Sequence, residues 1–177
     1  MSDRLFAPWR MEFVSKDQKG EVCLFCRLRD ETTDEENLVL ARTEHALLML
    51  NAYPYTNGHL MAAPLRHTAD FATLTPVEMG EVMALVQHGI TALNAVYRPH
   101  GFNVGANLGS AAGAGIADHL HMHVVPRWVG DTNFMAAIGD VRVLPDSLAA
   151  SYRKIHTALS AILPSGTDAG AAIDTKW

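Results

Sequence analysis

Three alternating histidines, His119, His121 and His123, are the residues of this sequence with the clearest potential for chemistry. Successive side chains of a β-strand point to opposite faces, so residues 119–124 would present three imidazoles on one face and apolar side chains on the other. Imidazoles two residues apart would lie about 6.6 Å from one another in a regular strand. Such a row could bind and attack a phosphate group, or it could hold a catalytic zinc ion.

The loop before these histidines favours phosphate over metal. Asn107, Gly109, Gly113 and Gly115 belong to a segment made largely of small residues. Glycine lets backbone N–H groups approach an anion closely, although glycine-rich loops are often only flexible connections. A catalytic zinc site would usually add a nearby carboxylate, and the adjacent Asp118 is expected to face the opposite side of the strand.

A second group of residues has the spacing of metal ligands. Cys23 and Cys26 form a C-x-x-C pair, which supplies two thiolates to a zinc ion and requires two further ligands. The alternative is a pair of reduced thiols without metal. The charged segment that follows, residues 27–37, is predicted to be a solvated loop or a short surface helix.

The elements that must position these residues can be predicted from apolar patterns. Thr75, Pro76 and Glu78 have the pattern of a capped helix start, and Pro99 is expected to end that long helix. A second helix is predicted at 145–163. Four strands are predicted, at residues 46–51, 59–64, 102–107 and 120–126. Strands and helices are mixed without regular βαβ spacing, which predicts an α+β fold with an antiparallel sheet.

Composition limits the classes of function. The 177 residues fit one domain, with 49% hydrophobic and 19% charged residues. The net charge of −5 argues against binding of long nucleic acids, whereas a small phosphorylated ligand needs only local donors. No apolar run reaches the roughly 20 residues of a membrane span, and the N-terminus lacks a signal-peptide pattern. We therefore expect a cytoplasmic protein with no membrane partner.

The residues HLHMHVVPRW resemble the H-x-H-x-H signature of the histidine-triad (HIT) superfamily of nucleotide hydrolases and transferases. The resemblance extends from residue 5 to about residue 138. It implies a single HIT domain over residues 1–177, in which an antiparallel sheet of about five strands packs with one long helix and a C-terminal helix. Residues 1–20 would be an N-terminal extension and residues 164–177 a loosely held tail.

The stretches APWRM, NAYPYTNGHL and HVVPRWVGDTNFM resemble more narrowly a bacterial branch of diadenosine polyphosphate phosphorylases or hydrolases. The resemblance implies that His121 attacks the α-phosphorus and forms a nucleotidyl-histidine intermediate. It further implies that His123 and Asn107 position the phosphate. A neutral imidazole is a competent nucleophile near pH 7, since its ordinary pKa is about 6.5.

The resemblance also implies residues that hold the substrate. Asn51 would contact the ribose, Trp128 would belong to the substrate pocket, and the loop glycines Gly113 and Gly115 would bind phosphate. Many members carry Gln or Ser where this chain has Gly115, so the handling of the leaving group, and with it the preferred substrate, stays open. A fourth histidine, His59, is equally compatible with a pocket role and with a structural one.

A structural zinc ion and a homodimer are implied by the resemblance as well. Family members with an N-terminal C-x-x-C bind zinc through a set that corresponds to Cys23, Cys26, His67 and His119. His45 is the alternative to His67. No catalytic cofactor is required by this mechanism.

The sequence thus predicts an enzyme that cleaves dinucleoside polyphosphates by nucleotidyl transfer to phosphate or water. Three alternatives remain: a nucleoside phosphoramidate hydrolase, a zinc metallohydrolase that uses the triad as ligands, and a sensor that binds nucleotides without turnover.

Overall fold

The computed structural model describes residues 22–131 and 144–163, and in these ranges it contains a five-stranded antiparallel sheet and three α-helices. The sheet has the order β1-β2-β3-β5-β4. The strands are β1 (Val39–Arg42), β2 (Ala46–Leu50), β3 (Leu60–Pro64), β4 (Gly101–Gly105) and β5 (Met122–Arg127). The helices are α1 (Leu24–Asp30), α2 (Pro76–Tyr97) and α3 (Leu148–Ile162). The predicted α+β, antiparallel architecture is confirmed.

Two elements differ from the sequence-based prediction. Strand β1 was not predicted, because it is only four residues long and is interrupted by a bulge between Val39 and Ala41. Helix α1 starts inside the C-x-x-C segment, and Phe25 and Leu28 are buried on it. The segment 27–37, predicted to be a solvated loop or a short surface helix, therefore begins within a helix that packs against the sheet.

The sheet separates two apolar clusters. Helices α2 and α3 cover one face with the larger cluster, which includes Leu48 and Leu50 of β2. On the opposite face, Phe25 and Leu28 of α1 pack with alternate residues of the same strand, Leu47 and Met49. Every residue of β2 and β3 is buried, because both faces of these central strands are covered.

The start of α2 fixes the path of the chain after β3. Thr75 and Glu78 form the predicted capping box, and the Arg66 guanidinium donates to both carboxylate oxygens of Glu78, at 2.6 and 2.9 Å. These hydrogen bonds from Arg66 hold the pKa of Glu78 down at about 2. The ion pair ties the residues before His67 to the helix.

The predicted N-terminal extension (1–20) and tail (164–177) lie outside the described residues. Of the helices that are described, none has the length and apolar character that crossing a bilayer requires.

Candidate functional site

A cavity of about 390 Å³ opens on the α1 face of the sheet. Its apolar wall includes Leu24 of α1, Met49 of β2, Met61 of β3 and Ile116 of the glycine-rich loop. The site residues predicted from the sequence that line it are Asn51, Asn107, Gly115, His121 and His123. The volume lies within the range of small-molecule sites, and polar groups converge at the histidine end.

Two further predicted residues do not line this cavity. Gly113 ends a short 3₁₀ turn with a φ of +81°, in the loop that leads to Gly115. Trp128 follows the last residue of β5, five positions beyond His123, which is about 16 Å along a strand. The role of Trp128 in the substrate pocket stays a prediction.

The nucleophile predicted from the sequence, His121, is held by one backbone hydrogen bond. Its Nδ1 lies 2.8 Å from the carbonyl oxygen of His119, which can only accept, so Nδ1 carries the proton and Nε2 keeps a lone pair. The side chain is buried against the Phe25 ring, and burial lowers the pKa of His121. At neutral pH the ring is therefore uncharged and its Nε2 is available for attack.

The strand prediction at the triad needs one correction. Strand β5 begins at Met122, so His119 and His121 precede it, and the Leu120 N–H donates instead to the carbonyl of Thr68. Outside the regular strand, the His121 ring turns toward that of His123, with centroids 4.8 Å apart and planes at 74°. The two rings are thus closer than the predicted spacing of about 6.6 Å for residues two apart.

His59 sets the tautomer of His123. The Tyr55 N–H donates to His59 Nδ1 at 3.1 Å, so the proton of a neutral His59 is on Nε2. His59 Nε2 lies 2.9 Å from His123 Nδ1, which must accept. A neutral His123 consequently carries its own proton on Nε2. His121 offers a lone pair and His123 offers an N–H, which is the complement needed to attack a phosphorus and bind its oxygens.

The turn before β3 delivers His59 to this position. His59 is fully buried, and Gly58 before it has a φ of +78°. This positive φ favours glycine, and a Cβ on Gly58 would lie 2.8 Å from a methyl group of Leu93 on α2, which would have to shift. The sequence carried a signal, the Gly58-His59 pair in a turn, but it did not distinguish a pocket role for His59 from a structural one.

A second cluster joins Cys23, Cys26, His67 and His119. Cys23 Sγ lies 3.3 Å from His119 Nδ1, and Cys26 Sγ lies 3.2 Å from His67 Nδ1. One potential ligand atom from each residue lies within 4.8 Å of the others. His119 Nε2 donates to the carbonyl of Pro64 at 2.8 Å, which leaves the Nδ1 lone pair facing the sulfurs.

This donor set fits zinc. Tetrahedral zinc with bonds of about 2.0–2.3 Å places its ligands roughly 3.3–3.8 Å apart, close to the observed separations. Burial lowers the pKa of His119 to about 4, so its imidazole is neutral, as a ligand must be. His45, the alternative third ligand, is not part of the cluster; its backbone N–H instead donates to Glu81.

Comparisons with known proteins identify the family of this chain. Residues 32–129 match the HIT domain. An AP-4-A phosphorylase of Mycobacterium tuberculosis is 42% identical over 161 residues, which cover 87% of this chain and 83% of the relative. This chain belongs to the histidine-triad (HIT) family.

Solved structures show the same fold. A Zn-bound histidine triad family protein from Mycobacterium smegmatis has a TM-score of 0.63 and 29% identity, covering 79% of this chain and 94% of its own. A histidine triad nucleotide-binding protein from Sulfolobus tokodaii has a TM-score of 0.63 at 20% identity, covering 79% and 93%.

The hydrogen bonds predict an unusual distribution of ring protons. Nitrogen-15 chemical shifts and long-range ¹H–¹⁵N couplings at pH 7.5 should identify His121 as the Nδ1–H tautomer and His59 and His123 as Nε2–H tautomers. His156, an exposed histidine of α3, serves as the internal reference. An Nε2–H tautomer at His121 would contradict the assignment of Nε2 as nucleophile.

Proposed function

We propose that this protein cleaves dinucleoside polyphosphates such as diadenosine tetraphosphate, and transfers a nucleotidyl group through His121 to inorganic phosphate. The observation that carries the proposal is the neutral His121 Nε2 lone pair beside the N–H of His123, within a nucleotide-sized cavity. Phosphate is favoured over water as the acceptor because the 42% identical relative is named AP-4-A phosphorylase.

In the first step the His121 Nε2 lone pair forms a bond to the α-phosphorus, and the bond from that phosphorus to the bridging oxygen of the leaving polyphosphate breaks. The ring becomes a nucleotidyl-imidazolium that still carries its Nδ1 proton. The His119 carbonyl stabilises this positive charge, because hydrogen bonds strengthen when the donor is charged. No proton has to leave His121. We expect the His123 N–H and the Asn107 side chain to bind the phosphate oxygens.

In the second step an oxygen of inorganic phosphate attacks the same phosphorus, and the P–N bond breaks. His121 departs as the neutral Nδ1–H tautomer in which it began. The products from diadenosine tetraphosphate are ATP, released in the first step, and ADP. Gly115 adds no side chain to the cavity wall, so there the loop offers the polyphosphate only backbone groups.

The arrangement of the triad supports this mechanism over a catalytic metal held by the three histidines. His119 faces the two cysteines, the Nδ1–H of His121 is directed at a carbonyl, and Nδ1 of His123 accepts from His59. The three imidazoles thus point toward three different partners rather than toward one ion. Of the two remaining alternatives, phosphoramidate hydrolysis is compatible with the same nucleophile. A non-catalytic sensor would not need a nucleophile at His121.

Product analysis tests the proposal. Purified protein incubated with diadenosine tetraphosphate should form ADP and ATP only when inorganic phosphate is present. His121→Asn should reduce the rate by at least about a thousandfold, because catalysis through a covalent intermediate ends with its nucleophile. His156→Asn, an exchange of an exposed histidine on α3, should retain the wild-type rate.

Mass spectrometry of the phosphate-free reaction should detect one nucleotidyl group on His121. Formation of AMP and ATP in the presence of phosphate would instead identify a hydrolase. Turnover of an adenosine phosphoramidate but not of the dinucleotide would identify the phosphoramidate alternative. Wild-type turnover by His121→Asn would refute the nucleophile.

We further propose that Cys23, Cys26, His67 and His119 hold a structural zinc ion. The spacing of their donor atoms supports it, as does the Zn-bound relative from Mycobacterium smegmatis. With all four ligand positions supplied by protein, the site is closed and has no place for substrate. Its contribution is to fix His119, whose carbonyl orients His121.

Two histidine variants test the zinc site. His67→Ala should lower both the zinc content, measured by plasma mass spectrometry, and the melting temperature, because a structural metal stabilises the folded chain. His45→Ala should retain zinc, since His45 lies outside the cluster. Equal zinc content in the two variants would contradict the ligand assignment, and zinc absent from the wild-type protein would reject the site.

A homodimer that forms through β4 is also proposed. The other edge strand, β1, carries a bulge, and the Tyr152 hydroxyl donates to its Val39 carbonyl. Such features block pairing with another chain. Strand β4 has no charged residue, proline or bulge, and within the described residues it pairs on one side only, with Val104 42% exposed.

The two free cysteines support a reducing, cytoplasmic location.

Light scattering tests the dimer. The wild-type mass should be twice that of one chain, and Val104→Lys should shift it toward the monomer, because a charge on an edge strand opposes edge-to-edge pairing. Leu144→Lys, a control at an exposed apolar residue before α3, should leave the mass unchanged. A monomeric wild-type protein would exclude the dimer.

A further inference from the structure

The strand register shows that one end of the cavity lies at His123 and the other end lies near β1. Met61 of β3 pairs with His123, Met49 of β2 pairs with Met61, and Val39 of β1 pairs with Met49. These residues form one row across the sheet, and three strand spacings of about 4.8 Å separate its ends by about 14 Å. A nucleotide with its α-phosphate at the histidines therefore has its base over the two methionines. The outer edge of the base then faces the turn before β1.

The polar groups at that end of the cavity are Arg27, Glu36 and Asn37. Arg27 Nη1 donates to Glu31 and to the Asn37 side-chain oxygen, at 2.6 and 3.3 Å. Asn37 Nδ2 donates to Glu31 and to Thr33, at 2.7 and 3.0 Å. The amide of Asn37 is thus fully used within the protein.

Glu36 differs from these neighbours. Its carboxylate has no hydrogen bond or ion pair to any residue in 22–131 or 144–163. The side chain is exposed and lines the cavity. Arg27 lines it as well and uses only Nη1 in its hydrogen bonds to Glu31 and Asn37. The outer end of the cavity consequently offers a base one acceptor with a full negative charge and one cationic donor.

The turn that carries Glu36 is fixed by its backbone. The Val39 N–H donates to the Asp34 carbonyl and the Leu38 N–H to that of Glu35, which is the Schellman pattern at the end of a helical turn. Leu38 takes the left-handed position, with a φ of 60°, where glycine is usual. Leu38 packs against the larger apolar cluster, which explains why a leucine is held there. The position of Glu36 is therefore preorganised rather than adaptable.

We propose that Glu36 is a specificity-determining residue that selects adenine by accepting a hydrogen bond from its exocyclic amino group, while Arg27 donates to an adjacent ring nitrogen. The proposal rests on the proposed function for the location of the phosphate. Hypoxanthine has a carbonyl oxygen in place of that amino group, and the Glu36 carboxylate repels it. Discrimination between the two bases thus combines one attractive and one repulsive contact.

Paired substrates test this role. The wild-type protein should have a kcat/KM for diadenosine tetraphosphate about tenfold above that for diinosine tetraphosphate, the factor expected for one hydrogen bond to a charged group. Glu36→Gln should reduce this ratio to about threefold or less, because an amide can accept from the amino group or donate to the carbonyl. Glu35→Gln, an exposed neighbour in the same turn that does not line the cavity, should retain the wild-type ratio.

Calorimetric binding of AMP and IMP separates this proposal from the proposed function. If AMP binds about tenfold more tightly and the preference is lost in Glu36→Gln, the role of Glu36 holds even if diadenosine tetraphosphate is not cleaved. An equal affinity of the wild-type protein for AMP and IMP overturns the proposal, and so does a ratio that is unchanged in Glu36→Gln. Binding of neither nucleotide at millimolar concentration overturns both the base site and the proposed function.

Discussion

The hydrogen bond from His121 Nδ1 to the carbonyl of His119 is the interaction on which the rest of the site depends. Imidazole in water exchanges between two tautomers, and only one of them places a lone pair on Nε2. The carbonyl selects that tautomer because a carbonyl can only accept. It also remains a favourable partner when the ring becomes cationic after attack. In the proposed mechanism one backbone atom therefore prepares the nucleophile and stabilises the product of its attack.

The same logic assigns a separate partner to each histidine of the triad. His119 donates to the Pro64 carbonyl, which directs its other nitrogen to Cys23, whereas His123 accepts from His59. Three identical side chains thus present the proposed zinc ligand, the proposed nucleophile and a hydrogen-bond donor. The partner of His119 is Pro64 of β3, and that of His123 is His59 in the turn before β3. The partner of His121 is the backbone of the triad itself.

The sequence predicted much of this arrangement because its strongest patterns are local. The apolar pattern of residues 120–126 and the capped start of α2 each depend on neighbouring residues, and both predicted elements are present, although β5 begins only at Met122. The missed features depend on contacts between distant parts of the chain. His59 meets His123 only because β3 and β5 pair, and β1 exists as a strand because β2 provides its partner. The Leu120 N–H donates to the carbonyl of Thr68 rather than to a neighbouring strand, and no local sequence pattern predicts this contact.

Helix α1 connects the cysteine pair to the cavity. Cys23 is its N-cap residue and Cys26 lies in its first turn. Leu24 and Arg27 line the cavity, and Phe25 packs against the His119 and His121 rings. A helix of seven residues is far too short to be stable alone. Its position must come from the thiol cluster on one side and from the apolar contacts of Phe25 and Leu28 on the other. A change in the cysteine–histidine cluster would therefore displace α1, which lines the proposed base site. It would also displace the His119 carbonyl, which orients His121. Substrate binding and catalysis thus depend on the same cluster.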